Sequence, residues 1–161
     1  MKAGDVLLFI GGTGVIDESI RLETHSKYTH AALAISSDTF LEAWWDGARI
    51  NALCNIVGEH VVLFEPVTAL TDIQIALLTG YANGKVGEEY NFLQLLGFVL
   101  ERLLHITHNP FGSTHKTICS QLVVEGYASI GINLLPDLDS YSVAPGDISK
   151  SKLLKQGAEP I

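Results

Sequence analysis

The chain has 161 residues, 47% of them apolar and 17% charged, with a mean hydropathy of +0.27. That length reads as one domain, 1–161, able to bury a full core without metal or disulfide support, and the composition excludes a disordered chain. Eighteen acidic against ten basic residues give a net charge of −8. Nucleic acid and anionic membrane surfaces are therefore excluded as partners, since both select clustered Lys and Arg.

The two cysteines, Cys54 and Cys119, do not make a disulfide framework. No apolar leader or small-residue cleavage site follows Met1-Lys2-Ala3-Gly4-Asp5-Val6. The greasiest window, Phe92 to Leu104, is interrupted by Gln94, Glu101 and Arg102 and is too short to span a bilayer. A cytoplasmic protein without stable membrane insertion is the expectation.

In chain order, Val6-Leu7-Leu8-Phe9-Ile10 predicts a buried strand, ended by Gly11-Gly12-Thr13-Gly14. No Gly-Lys-Ser/Thr follows those glycines and their spacing does not suit a dinucleotide turn, so no nucleotide or other cofactor site is expected there. A short helix is predicted over Val15 to Leu22. Tyr28 to Ile35 and Thr39 to Trp45 predict two strands joined by the hairpin loop Ser36-Ser37-Asp38. Two more are predicted at Arg49 to Leu53 and His60 to Phe64, and the short connections imply an antiparallel meander. Thr71-Asp72-Ile73-Gln74 fits a capping box opening a helix to about Asn83-Gly84. An apolar helix from Phe92 to about Leu104, a loop from His105 to His115, a helix from Cys119 to near Ile130-Gly131 and a last short helix around Ile148 to Leu154 complete the chain. The class is α+β, a strand block followed by a helical block that carries Cys119.

Cys119, in Lys116-Thr117-Ile118-Cys119-Ser120-Gln121-Leu122, falls where a polar loop becomes an apolar-periodic run, in the first turn of a helix. There the helix dipole favours a thiolate. A nucleophilic cysteine needs a histidine within reach, and the histidine needs a third group to hold its tautomer. His30 opens the strand Thr29-His30-Ala31-Ala32, among small side chains, and Glu42 lies on the next strand. With a three-residue loop at 36–38, Ile35 faces Thr39, Ala32 faces Glu42 and His30 faces Trp44. His30 and Glu42 then share a face as diagonal neighbours, about 7–8 Å apart at the backbone. A two-residue loop would put Glu42 on the other face. A carboxylate in an apolar strand needs a partner in any case.

Three pieces in this order carry a resemblance: Gly4-Asp5-Val6-Leu7-Leu8-Phe9; Ser26-Lys27-Tyr28-Thr29-His30-Ala31-Ala32-Leu33 with Leu41-Glu42-Ala43; and Thr117-Ile118-Cys119-Ser120-Gln121-Leu122-Val123. Together, with the tail Ala144-Pro145-Gly146-Asp147-Ile148, the chain resembles the circularly permuted papain-like cysteine amidases, the YiiX/YaeF-like relatives of the NlpC-type cell-wall peptidases. In that family the last piece reads Cys-Ser-Glu-Leu-Val, so Gln121 is a departure. The resemblance implies a permuted papain-like fold, an antiparallel sheet or small barrel against the helical block. It implies nucleophile Cys119, base His30 and orienter Glu42. Tyr90, Ser120 and Trp44 are expected around the substrate or oxyanion, Tyr90 because the family commonly has a Tyr-Asp pair there.

The activity implied is a cysteine amidase or peptidase using acyl-thioester chemistry on a small amide, peptide or lipid-acyl substrate, with no cofactor. A lipid-type acyltransferase or esterase would use the same triad, with the apolar helix Phe92 to Leu104 walling an acyl groove. A non-catalytic binding module on the same fold is a further alternative. A zinc site at His105, His108 and His115 matches no ligand spacing and has no nearby cysteine pair.

Overall fold

The computed structural model describes residues 1–11, 26–44, 47–88 and 119–157. Val6-Leu7-Leu8-Phe9-Ile10 forms β1 (Val6–Ile10) in the middle of a six-stranded sheet. Val6, Leu7 and Leu8 are all fully buried, because both faces of β1 are covered. That is why the run is continuously apolar rather than alternating.

The other strands are β2 (Tyr28–Ala34), β3 (Thr39–Trp44), β4 (Gly47–Ala52), β5 (Val61–Pro66) and β6 (Leu154–Gln156). Their order is β4-β3-β2-β1-β5-β6, and every pairing is antiparallel. The expected meander holds from β2 through β4, with β1 joined at its start, but β5, expected to continue it beside β4, returns instead to the free side of β1. Of the two expected shapes, the sheet is open, with β4 and β6 at its margins.

Three helices are described: α1 (Asp72–Lys85), α2 (Cys119–Ser129) and the single turn α3 (Pro145–Ile148). Thr71 and Gln74 form the capping box reciprocally, with Gln74 N–H on Thr71 Oγ1 at 3.3 Å and Thr71 N–H on Gln74 Oε1 at 3.0 Å. One sheet face, with Val6, Leu8, Ala31, Leu33, Val62 and Phe64, packs against Val123, Val124 and Tyr127 of α2 and Leu78 of α1. The opposite face buries Leu7, Ala32, Ala34, Phe40 and Leu63 with Ile56. Leu41, Ala43 and Ala48 pack with Cys119 and Leu122, so the start of α2 reaches across to β3 and β4.

The tail departs from expectation. The helix foreseen around Ile148 to Leu154 is instead the turn α3 followed by β6. Pro145 opens α3, and Asp147 accepts from Ala144 N–H at 3.1 Å. Buried Ser151 then donates to Leu134 O at 2.7 Å, which anchors the chain before it pairs along β5, where Leu154 faces Pro66. Covering the outer edge of β5 outweighs another turn of helix, because that edge offers unpaired backbone groups. The expected helices at Val15 to Leu22 and Phe92 to Leu104, and the loop His105 to His115, lie outside the described residues, as does Tyr90.

Candidate active site

The hairpin between β2 and β3 sets the site. Ile35 N–H donates to Thr39 O at 3.0 Å, closing a loop of Ser36, Ser37 and Asp38. Ser36 Oγ organises that loop by accepting from the N–H groups of Asp38 and Thr39. Ala32 consequently faces Glu42, Leu33 faces Leu41 and Ala34 faces Phe40. His30 and Glu42 fall on one face, and His30 Nε2 lies 3.2 Å from Glu42 Oε2.

Pairing between β2 and β3 stops at Ala32 and Glu42, although β2 begins four residues earlier and β3 runs two further. The ladder against β1 is also irregular here, with Phe9 opposite His30 but Ile10 opposite Tyr28. A strand directs its N–H groups alternately to either side. Ala34 N–H goes to Asp5 O on the β1 side and Ile35 N–H to Thr39 O on the β3 side. Ala31 shares the parity of Ile35, so its N–H points toward the place where Ala43 would pair if the ladder continued. That N–H is one of the groups that favour the anion at the Cys119 sulfur.

Cys119 opens α2 with its side chain buried, 6% exposed. The His30 ring and the N–H groups of Ala31 and Ser120 are the groups that favour the anion at its sulfur. With Nε2 turned to Glu42, Nδ1 is the His30 nitrogen left for the sulfur. Cys119, His30 and Glu42 thus form one chain of contacts drawn from α2, β2 and β3.

Charge follows from these contacts. Burial pushes the Cys119 thiol up, but the His30 charge and hydrogen bond, with the two backbone N–H groups, bring it below its ordinary value. Burial pushes the His30 imidazole down, and the Cys119 and Glu42 anions raise it to about 9. For Glu42, 3% exposed, burial raises the carboxyl while His30, Asn51 and Arg49 hold it below its ordinary value. The signs define a window for the thiolate–imidazolium pair. The thiolate is lost as pH falls through its lowered pKa, and the imidazolium is lost as pH rises through about 9. Glu42→Gln removes the anion behind His30, so the His30 titration observed by NMR is expected to fall by roughly one unit or more. An unmoved titration would contradict the contact.

The other expected residues are placed as follows. Trp44 is half-exposed and meets the His30 ring edge-on, centroids 5.6 Å apart, at the mouth of the contact chain. The Ser120 hydroxyl is turned away to donate to Val143 O, so only its backbone N–H faces the sulfur. Gln121 has a local reason to differ from Glu: its amide donates to Glu125 Oε1 at 2.6 Å, where a second carboxylate would repel.

Sequence reading missed Arg49 and Asn51. Arg49 Nε and Nη2 each lie 2.9 Å from Glu42 Oε1, and Asn51 Nδ2 lies 2.8 Å from the same oxygen. A signal was available. Pairing Trp44 with Gly47 puts Glu42 opposite Arg49 and Phe40 opposite Asn51, as observed.

Known proteins are similar to this chain. The protein named "Probable lipoprotein peptidase YaeF", from Escherichia coli strain K12, is 29% identical over 136 residues, covering 81% of this chain and 49% of the relative. The chain thus spans about half the length of that curated relative. The crystal structure of metalloprotein yiiX from Escherichia coli O157:H7 shares the fold, with a TM-score of 0.71 at 18% identity over 98% of this chain and 97% of that one. The chain is thus similar to YaeF in sequence and to yiiX in fold. No family model matches it.

The word metalloprotein applies to yiiX. In this chain, among the described residues, no group of three or more His, Cys, Asp and Glu side chains gathers to hold a metal ion. Glu42 has both oxygens engaged by hydrogen bonds, so the donor set described does not fit a bound metal. Among the described residues no helix is long and apolar enough to cross a membrane.

Proposed function

We propose that the chain is a cysteine-dependent hydrolase of amide or peptide bonds, with Cys119 as nucleophile, His30 as base and acid, and Glu42 as orienter. What supports this is His30, hydrogen-bonded to Glu42, acting on Cys119 at a helix start, with the thiol lowered and the imidazole raised. The peptidase name of YaeF supports the reaction class. The permuted papain-like architecture implied by the order His30, Glu42, Cys119 belongs to the same proposal.

In this mechanism the Cys119 thiolate attacks the carbonyl carbon of the scissile bond. Negative charge develops on the carbonyl oxygen, and the N–H groups at the start of α2 are placed to receive it. The His30 imidazolium gives its proton to the leaving amine as the tetrahedral intermediate collapses to a thioester. Neutral His30 then takes a proton from water, the resulting hydroxide attacks the thioester, and Cys119 leaves as the thiolate. Glu42 holds the ring throughout, with Nε2–H donated to it and Nδ1 toward sulfur.

Differential labelling tests the assignment. Cys54 is exposed and Cys119 buried, so accessibility alone favours Cys54. Iodoacetamide is nevertheless expected to label Cys119 faster, with a midpoint well below that of a free thiol at about 8.5. Equal, slow labelling of the two cysteines would contradict the proposal.

A further inference from the structure

Glu42 is gripped from the side away from His30. Its Oε1 receives Arg49 Nε and Nη2, each at 2.9 Å, and Asn51 Nδ2 at 2.8 Å, while Oε2 is left for His30. The Arg49 guanidinium also lies over the Trp44 ring, 5.1 Å from its centroid. Since Trp44 meets His30 edge-on, His30, Glu42, Arg49 and Trp44 close a ring of contacts. Asn51 is fixed as well. Its Oδ1 accepts from Ala52 N–H at 2.8 Å and Asn55 Nδ2 at 2.7 Å, so its amide N–H₂ must face Glu42.

Resting on the Cys119–His30–Glu42 assignment above, we propose that Arg49 and Asn51 are positioning residues that lock Glu42, so that Oε2 alone faces His30 and the ring presents Nδ1 to the Cys119 sulfur. The physical need is plain. A buried carboxylate with one oxygen unsatisfied would rotate toward other donors or take up a proton, and either would release the imidazole. A fork of two guanidinium nitrogens plus an amide removes that freedom, which a single point charge does not. Arg49 is 40% exposed on edge strand β4, so its fold contribution as a surface ion pair is small.

Positioning and mere charge predict different pH profiles. Among the described residues, the charged or titratable groups facing His30 are Cys119 from α2 and Glu42 from β3; those facing Glu42 are His30 from β2 and Arg49 from β4. If Arg49 contributed only its positive charge, removing it would make the site more negative. Both limbs of the thiolate–imidazolium window would then slide upward together. If Arg49 and Asn51 position Glu42, their loss loosens His30 from both partners. The thiol limb then rises, the imidazole limb falls, and the window narrows from both ends.

The test uses the whole chain with Cys54→Ser as background, since Cys54 is exposed and outside the site. Thiolate ultraviolet absorbance and iodoacetamide labelling report Cys119, and NMR of the ring reports His30. Arg49→Met and Asn51→Leu are each expected to raise the thiol limb by about one unit, which is about ten-fold less thiolate at a pH on that limb, and to lower the imidazole limb. Arg49→Lys, which keeps the charge and gives up the fork, is expected between wild type and Arg49→Met. Should Arg49→Met unfold, Arg49→Lys and Asn51→Ser carry the same comparison. A background protein without thiolate at about pH 6 would overturn the triad assignment and this inference together. A background protein with thiolate, but variants whose limbs slide together or stay in place, would overturn the positioning role alone.

Discussion

Replacing His30 by alanine is expected to lower the thiolate fraction of Cys119 at about pH 6 to that of an ordinary thiol. Burial works against an anion at Cys119, and His30 is the largest influence acting the other way. Without the imidazolium, the N–H groups of Ala31 and Ser120 remain, but these neutral donors are weaker than a charged partner. A thiol returned to about 8.5 or above is only about 0.3% ionised at pH 6. Labelling should slow by less than the thiolate fraction falls, because a more basic thiolate is intrinsically the better nucleophile, with a Brønsted slope of about 0.4–0.5. Labelling is therefore expected to slow, and thiolate absorbance should show the full change. Unchanged absorbance in His30→Ala would mean that the helix start alone ionises the thiol.

Gly126→Val is expected to destabilise the fold by roughly 3 kcal/mol, in the range of overpacking a filled core. A Cβ built at Gly126 would lie 2.5 Å from Leu33 Cδ2 and 3.2 Å from Tyr81 Cε1. Neither neighbour is free to move. Leu33 is fully buried, and Tyr81 is tied by its hydroxyl to Leu122 O at 3.1 Å. Alanine would recover about 1 kcal/mol of helix propensity against the same clash, so Gly126→Ala should cost less. The consequence reaches the site, because α2 carries Cys119 at its first turn and rests on β2, which carries His30. Lifting the helix off Leu33 separates sulfur from imidazole. Urea denaturation gives the stability, and labelling under folded conditions gives the coupling. A valine variant as stable and as reactive as wild type would contradict this packing.

Much of the site follows from one hairpin. Ser36-Ser37-Asp38 has the composition of a short polar loop, and its length decides that Ala32 faces Glu42, which puts His30 and Glu42 on one face. The Thr71–Gln74 capping box was equally legible, since both partners lie within one turn. What could not be read depends on contacts distant in sequence. That Cys119 packs with Leu41 and Ala43 of β3 requires knowing where α2 lands, and Gly126 permits that landing. The Arg49 and Asn51 grip was within reach of a second register argument pairing Trp44 with Gly47. The return of β5 to β1 and the capture of Leu154 by the β5 edge are decided by which sheet edges remain open, and local propensity carries no such information.

Whether Cys119 forms an acyl-thioester is decided most directly by intact mass after brief exposure to p-nitrophenyl acetate, comparing wild type with Cys119→Ala. Wild type is expected to gain a single acetyl group, mapped to Cys119, released by hydroxylamine and lost with time as water completes the cycle. Cys119→Ala is expected to gain none at the same exposure. Equal acetylation of both proteins, or acetyl found on Cys54 in place of Cys119, would contradict a nucleophilic Cys119.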